Sequence, residues 1–423
     1  MSLVNEDSRT SSFSIATYLR YYYIISLVFY KLILTFQVPD GSSVDISRII
    51  RFDYSYPTYT KIAKEAYDLW STSPLYHNIF FKRPFILATN TAQGRAYIKR
   101  CTDNLNTFSL PWTELHSEKE AKKDFPVLTG PLASPGFYGY INAQAGWADA
   151  GLAIAGLRDR CIEAGISFFS GAHGTVHELQ KDPSTGKITG AKMKSGDVVH
   201  GDLFILATGA WTSGLVSMHD SIIATGQVLG FMKLSDAEQK KYKSLPIYIH
   251  MDSGWFSFPP HDETGYLKVA VHGWGYTRSQ NKSPLSSAPP AAPKSKRRNF
   301  VPEDGIQRLK DGLIKVLPEL ADREFDRTAV CWYTDTPTGD FILDYHPQHE
   351  NLFVATGGSG HGFKFLPVLG KYASDAVERL LPDELRSQWR FRQEYRGQNA
   401  FAGDGSRGGP ERREFTEQEK AKL

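Results

Sequence analysis

The stretch from Leu352 to Leu381 constrains this chain more than any other. Leu352-Phe353-Val354-Ala355-Thr356 is short, apolar and partly β-branched, as a buried strand is, and it runs into Gly357, Gly358, Gly360 and Gly362. Apolar residues then recur at Leu366, Leu369, Tyr372, Ala373, Ala376, Val377 and Leu380, the period of a helix with one buried face, which Pro382-Asp383 stops. Strand, glycine loop and helix start in succession bring bare backbone N–H groups and a positive helix end to one point, which suits an anionic or electron-rich ring edge. The spacing is not that of a standard nucleotide loop. Phe363 stands where Gly-x-Gly-x-x-Gly counted from Gly358 needs its third glycine, and Lys364 lacks the P-loop frame. Taken alone, the cluster reads as a tight turn before a surface helix.

Its upstream neighbour changes that reading. Cys331 opens C-W-Y-T-D-T-P-T-G-D-F-I-L-D, and Gly358 to Lys364 read G-S-G-H-G-F-K. In order and separation these two strings resemble the flavin-dependent amine oxidases of the sarcosine oxidase, fructosyl amino acid oxidase and saccharopine/pipecolate oxidase family. There the two segments lie on either side of the isoalloxazine. The resemblance implies an α/β (α+β) fold, with a Rossmann-like FAD-binding domain built on a parallel sheet and an antiparallel-sheet substrate domain. It places the cofactor domain at residues 1–60, 140–225 and 325–385, the substrate domain at 61–139 and 226–324, and a surface tail at 386–423.

Composition agrees with such a protein. With 423 residues the chain can bury a large core, and 41% hydrophobic against 22% charged residues is the balance of a water-soluble globule. A net charge of +3 gives no basis for a nucleic-acid partner. Cys101, Cys161 and Cys331 are too scattered for a disulfide framework or a metal pair, which points to a reducing compartment. No metal is expected. The final Ala421-Lys422-Leu423 differs from the Ser-Lys-Leu peroxisome address only in its first residue, so a peroxisomal import receptor is an expected partner.

The first residues are the anomaly. The family opens on a strand, Gly-x-Gly-x-x-Gly and a helix that hold the dinucleotide pyrophosphate, yet no glycine precedes Gly41. Residues 1–37 therefore read as a divergent replacement or a wrongly translated start, and the cofactor domain as incomplete at its N-terminus. Within 15–38 the apolar run is broken by Arg20 and Lys31, too soon for a spanning helix, so no membrane is expected.

Further on, Tyr59–Trp70 reads as an amphipathic helix, Lys82–Thr89 as a strand and Trp112–Phe125 as a polar connection. An Ala-rich helix over Trp147–Glu163 followed by a strand over Ile166–Ser170 suggests a βαβ crossover. Val176 and His177 would then sit at a strand edge open to the adenine or ribose, and Leu203 to Ala207 reads as a strand running into the glycine turn Thr208-Gly209-Ala210-Trp211. Hairpin strands follow at Gly254–Pro259 and Gly265–His272, where alternation puts Lys268, Ala270 and His272 on one face. Residues 279–299 read as an exposed loop and Pro302–Val316 as a helix.

The resemblance assigns roles to these positions. In Arg48-Ile49-Ile50-Arg51 the second arginine, Arg51, clamps a substrate carboxylate together with Lys364, while Arg48 lies beside the flavin. On a helical turn both arginines would share a face, and two solvated arginines are the plain alternative. Lys268 meets the ring edge where dioxygen reacts and His272 shapes the amine pocket; a solvent-facing polar stripe is the alternative for that pair. Cys331 forms a thioether to the flavin, against a buried inert thiol. Val176, Gly209, Trp211, Gly358, Gly360, His361, Gly362, Phe363 and Lys364 contact the cofactor. The implied activity is oxidation of an N-substituted amino acid by dioxygen, with hydrogen peroxide released, by a monomer. Without its nucleotide-binding unit, the chain is alternatively an inactive remnant that binds no flavin.

Overall fold

The computed structural model describes residues 41–43, 45–280, 284–290, 299–398 and 401–423, together with the backbone of 23–25. Two sheets organise them. In the smaller, Tyr23–Ile25, Phe204–Leu206 and His349–Thr356 run parallel, and Ile342–His346 closes the edge as an antiparallel hairpin partner. The strand read at Leu352–Thr356 is there and extends back to His349; the helix after it spans Leu366–Val377, entered through a 3-10 turn at Gly362–Phe365. Apart from residues 23–25, the expectations for 1–37 lie outside the described residues, as do residues 281–283 and 291–298 of the stretch read as an exposed loop.

The larger sheet has ten strands and is mostly antiparallel. Its centre is Ile223–Lys233, which carries Tyr266–Val271 on one side and Arg327–Asp335 on the other. The hairpin strands form as Trp255–Ser257 and Tyr266–Val271. The thiol strand Arg327–Asp335 lies in this antiparallel sheet, its backbone pairing along nearly all of Ile223–Lys233. Helix Glu303–Val316 covers one face. Trp255 packs beneath it and donates its indole N–H to the Leu309 carbonyl at 3.0 Å, in space left by Gly312, where a Cβ would strike the indole at 2.1 Å.

Several local expectations change. Helix Pro57–Thr72 is longer than its periodicity indicates. The strand read at Lys82–Thr89 is two, Phe80–Lys82 and Phe85–Thr89, divided at Pro84, which cannot donate to a ladder. The helix after Asp149 begins at Ala150, capped by the Asp149 carboxylate at Leu152 N (2.8 Å). No strand follows at Ile166–Ser170. Phe168 and Phe169 there are exposed, so the local βαβ reading fails although a parallel sheet exists. Arg48–Ile50 is a strand paired with Gly146–Ala148, so the arginine pair does not sit on a helical turn.

The tail and loop expectations are corrected too. Trp389, Phe415 and Leu423 are buried, and Arg413–Glu414 adds a strand beside Tyr276–Thr277, because the last forty residues carry aromatic groups that fill the two main cores. In the stretch read as an exposed loop, Ser287 is buried and donates to the Ala224 carbonyl at 2.7 Å. No helix among the described residues is long and apolar enough to cross a membrane.

Candidate active site

A cavity of ≈ 2190 Å³ opens between the two sheets. Directly paired residues of an antiparallel ladder point to the same face. On Ile223–Lys233, Phe231 pairs with Lys268, Leu229 with both Ala270 and Ala329, and Gln227 with Cys331. One ladder therefore turns Lys268 and Cys331 to the same side, and both line the cavity. The reading of Lys268 as a solvent-facing stripe is excluded, since it is 1% exposed.

Its ammonium donates to Asp45 Oδ2 at 2.5 Å and to the Ser47 carbonyl at 2.8 Å. Burial, and after it the Arg48 guanidinium, push Lys268 well below the usual lysine range. Arg48 bonds the same Asp45 carboxylate and also points a guanidinium N–H at Cys331 Sγ, 3.8 Å away. Lys268, Asp45, Arg48 and Cys331 form one connected line of contacts.

A second line of contacts borders the same cavity. Lys364 Nζ donates to Tyr54 Oη at 2.8 Å and to the His361 carbonyl at 3.2 Å. His361 Nε2 lies 2.8 Å from the Gly339 carbonyl, which can only accept, so that nitrogen carries the proton and Nδ1 accepts from Tyr54 Oη at 3.1 Å. Burial, then Lys364, lowers His361 to about 3, which keeps the ring neutral. Among the described residues no carboxylate bonds Lys364 directly, and burial followed by Arg51 depresses the ammonium well below its usual range. Arg51 is held by the carbonyl and carboxylate of Asp53, a fully buried residue that also receives Tyr140 Oη at 2.6 Å and Asn142 Nδ2.

The glycine loop is tighter than its sequence implies. Gly360 has φ +72°, and a Cβ there would meet the Tyr333 ring at 2.4 Å. Its amides are not all bare: Ser359 N–H donates to the Thr334 carbonyl, and those of His361 and Gly362 to Gly358. The loop thereby fastens to the thiol strand.

Of the residues singled out in the sequence, Arg48, Arg51, Gly209, Trp211, Lys268, His272, Cys331, Gly358, Gly360, His361, Gly362, Phe363 and Lys364 line this cavity. Val176 does not: it is 3% exposed, packed within a separate cluster beside the three-stranded sheet of Val176–Lys181, Ile188–Met193 and Val198–Val199. Sequence reading passed over Asp45, Tyr54, Asp404, Ser406 and Arg407. Arg407 bonds Asp335 at 2.5 Å, the Ser359 carbonyl at 2.9 Å and the Gly273 carbonyl at 3.2 Å, tying the thiol strand, glycine loop and hairpin together. The turn-rich G-D-G-S-R-G-G signalled a specific backbone path, but not where it leads.

Known proteins align with this arrangement over most of the chain. L-Saccharopine oxidase of Schizosaccharomyces pombe is 29% identical over 375 residues, covering 84% of this chain and 86% of the relative. A monomeric sarcosine oxidase of Bacillus is 27% identical over 345 residues, covering 78% and 81%. The solved fructosamine oxidase of Aspergillus fumigatus, described as a deglycating enzyme, superposes with a TM-score of 0.76 at 26% identity, covering 89% of this chain and 86% of its own. Nothing in these comparisons supports the inactive-remnant alternative. Residues 34–376 match the family model described as FAD dependent oxidoreductase, and the chain belongs to that family.

Proposed function

We propose that the chain oxidises the C–N bond of an N-substituted α-amino acid such as sarcosine, pipecolate, saccharopine or a fructosyl amino acid. Dioxygen is the final electron acceptor, and the products are an imine, which water hydrolyses, and hydrogen peroxide. One observation carries the reading: a thiol, two desolvated lysines and a held arginine converge on one cavity.

The same residues suit FAD. A cavity of ≈ 2190 Å³ has room for the cofactor and a small substrate, and the wall around Gly358 stays open, with nothing within 4 Å of where a Cβ would stand. Cys331 is the proposed covalent tether, and the glycine loop with Gly209 and Trp211 the proposed walls. FAD when bound supplies the two-electron acceptor for the substrate's α-hydride.

The chain's own groups orient and balance charge. Arg51 can grip a carboxylate through two N–H groups, and Lys364 adds a second positive charge beside it. Asp53 keeps the guanidinium from swinging away. His272 is held neutral, by burial and then Arg407, so it adds no charge opposing the approach of a substrate amine. Lys268, at the other end of the ladder, offsets negative charge that develops on dioxygen during reoxidation.

We also propose that the parallel sheet belongs to the cofactor half and the ten-stranded sheet to the substrate half, and that the protein acts as a monomer. Ala421-Lys422-Leu423 is a proposed peroxisomal address. Because Leu423 is 5% exposed, an import receptor would reach it only after the last turn detaches.

Two measurements test the function. Purified protein should release peroxide with at least one N-alkyl amino acid and with none of the matching N-alkyl amines that lack the carboxylate; silence across the panel refutes the reading. Yellow colour should survive acid precipitation of the wild type and be lost to the supernatant in Cys331→Ala. Colour released equally from both would refute the tether.

A further inference from the structure

The C-terminal segment reaches the cavity through Asp404 and Ser406, which the function above does not use. The segment is stitched in place. Gly403 N–H donates to the Pro337 carbonyl at 2.9 Å, Gly408 N–H to the His272 carbonyl at 3.4 Å and Gly409 N–H to the Asp252 carbonyl at 2.7 Å. At Gly408 a Cβ would stand 2.0 Å from the Met251 carbonyl, so only glycine lets the strand end and this segment approach so closely.

Between those anchors runs a short polar line. Ser406 Oγ lies 2.5 Å from Asp404 Oδ1, and the Ser406 backbone N–H donates to that oxygen at 3.0 Å. A carboxylate oxygen only accepts, so the one hydroxyl hydrogen of Ser406 goes to Asp404. Ser406 Oγ therefore faces His272 Nε2, 3.3 Å away, with a lone pair, and Nε2 must carry the ring hydrogen. In a neutral imidazole this leaves Nδ1 without a proton, and no hydrogen bond to it occurs among the described residues.

We propose that Asp404 and Ser406 are positioning residues that hold His272 as its Nε2–H tautomer, leaving Nδ1 as the acceptor for an N–H of the substrate nitrogen. The inference rests on the amino acid oxidase reading and deepens it. The rest of the surroundings keep the ring from protonating. Arg407 comes from the same segment, Lys364 and His361 from the glycine loop and Arg51 from just beyond the Arg48–Ile50 strand, while the Tyr333 ring stands 5.8 Å away. In that cationic setting His272 acts by accepting a hydrogen bond rather than by storing a proton, and the orientation of its hydrogen decides whether it can.

The tautomer is read directly from long-range ¹H–¹⁵N correlations of holoenzyme labelled with ¹⁵N-histidine, the His272 signals being those lost in His272→Asn. The wild type should show the Nε2–H pattern. Ser406→Ala and Asp404→Asn should each show a tautomer mixture, with kcat/KM lower by about tenfold, the order that one buried hydrogen bond supplies. Ser406→Thr, which keeps the hydroxyl, should restore the wild-type pattern. The kcat/KM–pH profile of Ser406→Ala should move while its melting temperature does not. A wild-type ring protonated on Nδ1, or an unchanged pattern in both Ser406→Ala and Asp404→Asn, would overturn the proposal. The tautomer needs no turnover to be seen, so failure to oxidise any N-alkyl amino acid would refute the function while the spectrum decides this assignment separately.

Discussion

Replacing Lys268 by methionine separates the two halves of the proposed reaction. Methionine keeps the unbranched stem and removes the charge, while Asp45 stays held by Arg48 and by the Ile46 N–H at 2.8 Å. The folding cost should therefore fall well below the ~3–5 kcal/mol of stranding an isolated buried charge. The kinetic cost should be larger. A unit charge ~4 Å from another at an effective dielectric of about 20 contributes roughly 4 kcal/mol. Since each ~1.4 kcal/mol is a factor of ten in rate, reoxidation by dioxygen should slow roughly a thousandfold. Stopped-flow absorbance in the flavin band measures both halves: anaerobic reduction by substrate should stay within a few-fold of wild type, and the oxygen step should fall. The pH dependence has a definite sign. Burial lowers the Lys268 ammonium, so the wild-type oxygen rate should decline as pH rises through that depressed value, and Lys268→Met should be flat. An oxygen step as fast in Lys268→Met as in wild type would refute the role.

Arg51→Lys should raise KM for amino acid substrates by about tenfold to a hundredfold, the loss of one charged hydrogen bond, with kcat nearly unchanged; steady-state kinetics checks it. Asp53→Ala strands Tyr140 Oη and Asn142 Nδ2, leaves the Arg51 guanidinium without its carboxylate and with only the backbone carbonyl at position 53, and should cost about 3–5 kcal/mol by denaturant unfolding, whereas Asp53→Asn should cost less. Phe415→Ala removes a ring that is 1% exposed and stacked 5.0 Å from Tyr276, and should destabilise the protein by about 3–5 kcal/mol in the same assay; no change would mean the C-terminal segment is detached in solution.

What could be seen in the sequence was what depends on neighbours in the chain. The strand, glycine loop and helix around Gly358 obey short-range rules of period and turn chemistry, so their positions were legible. Helix Ala92–Thr107 was overlooked because its buried stripe, Tyr97, Ile98, Cys101 and Leu105, is narrow among Gln93, Arg95, Lys99, Arg100 and Asp103. Ile166–Ser170 misled in the opposite way, being apolar enough for a strand yet forming none. The alternation of Lys268 and His272 was readable, but not their burial, which depends on Ile223–Lys233 lying between two distant segments. For Asp404 and Ser406 no local pattern exists. Only the return of the chain past Gly273 gives them a role.

The shared ladder on Ile223–Lys233 also sets which length changes the chain can absorb. Inserting one residue between Gln227 and Phe231 would slip one end of the pairing against the other and turn either Cys331 or Lys268 to the opposite face of the sheet. Additions between Val271 and Arg327 leave both registers as they are. Homologues should accordingly vary freely in the excursion after Thr277 while preserving the four-residue step from Gln227 to Phe231, a pattern of gaps that an alignment of orthologues would expose without any assay.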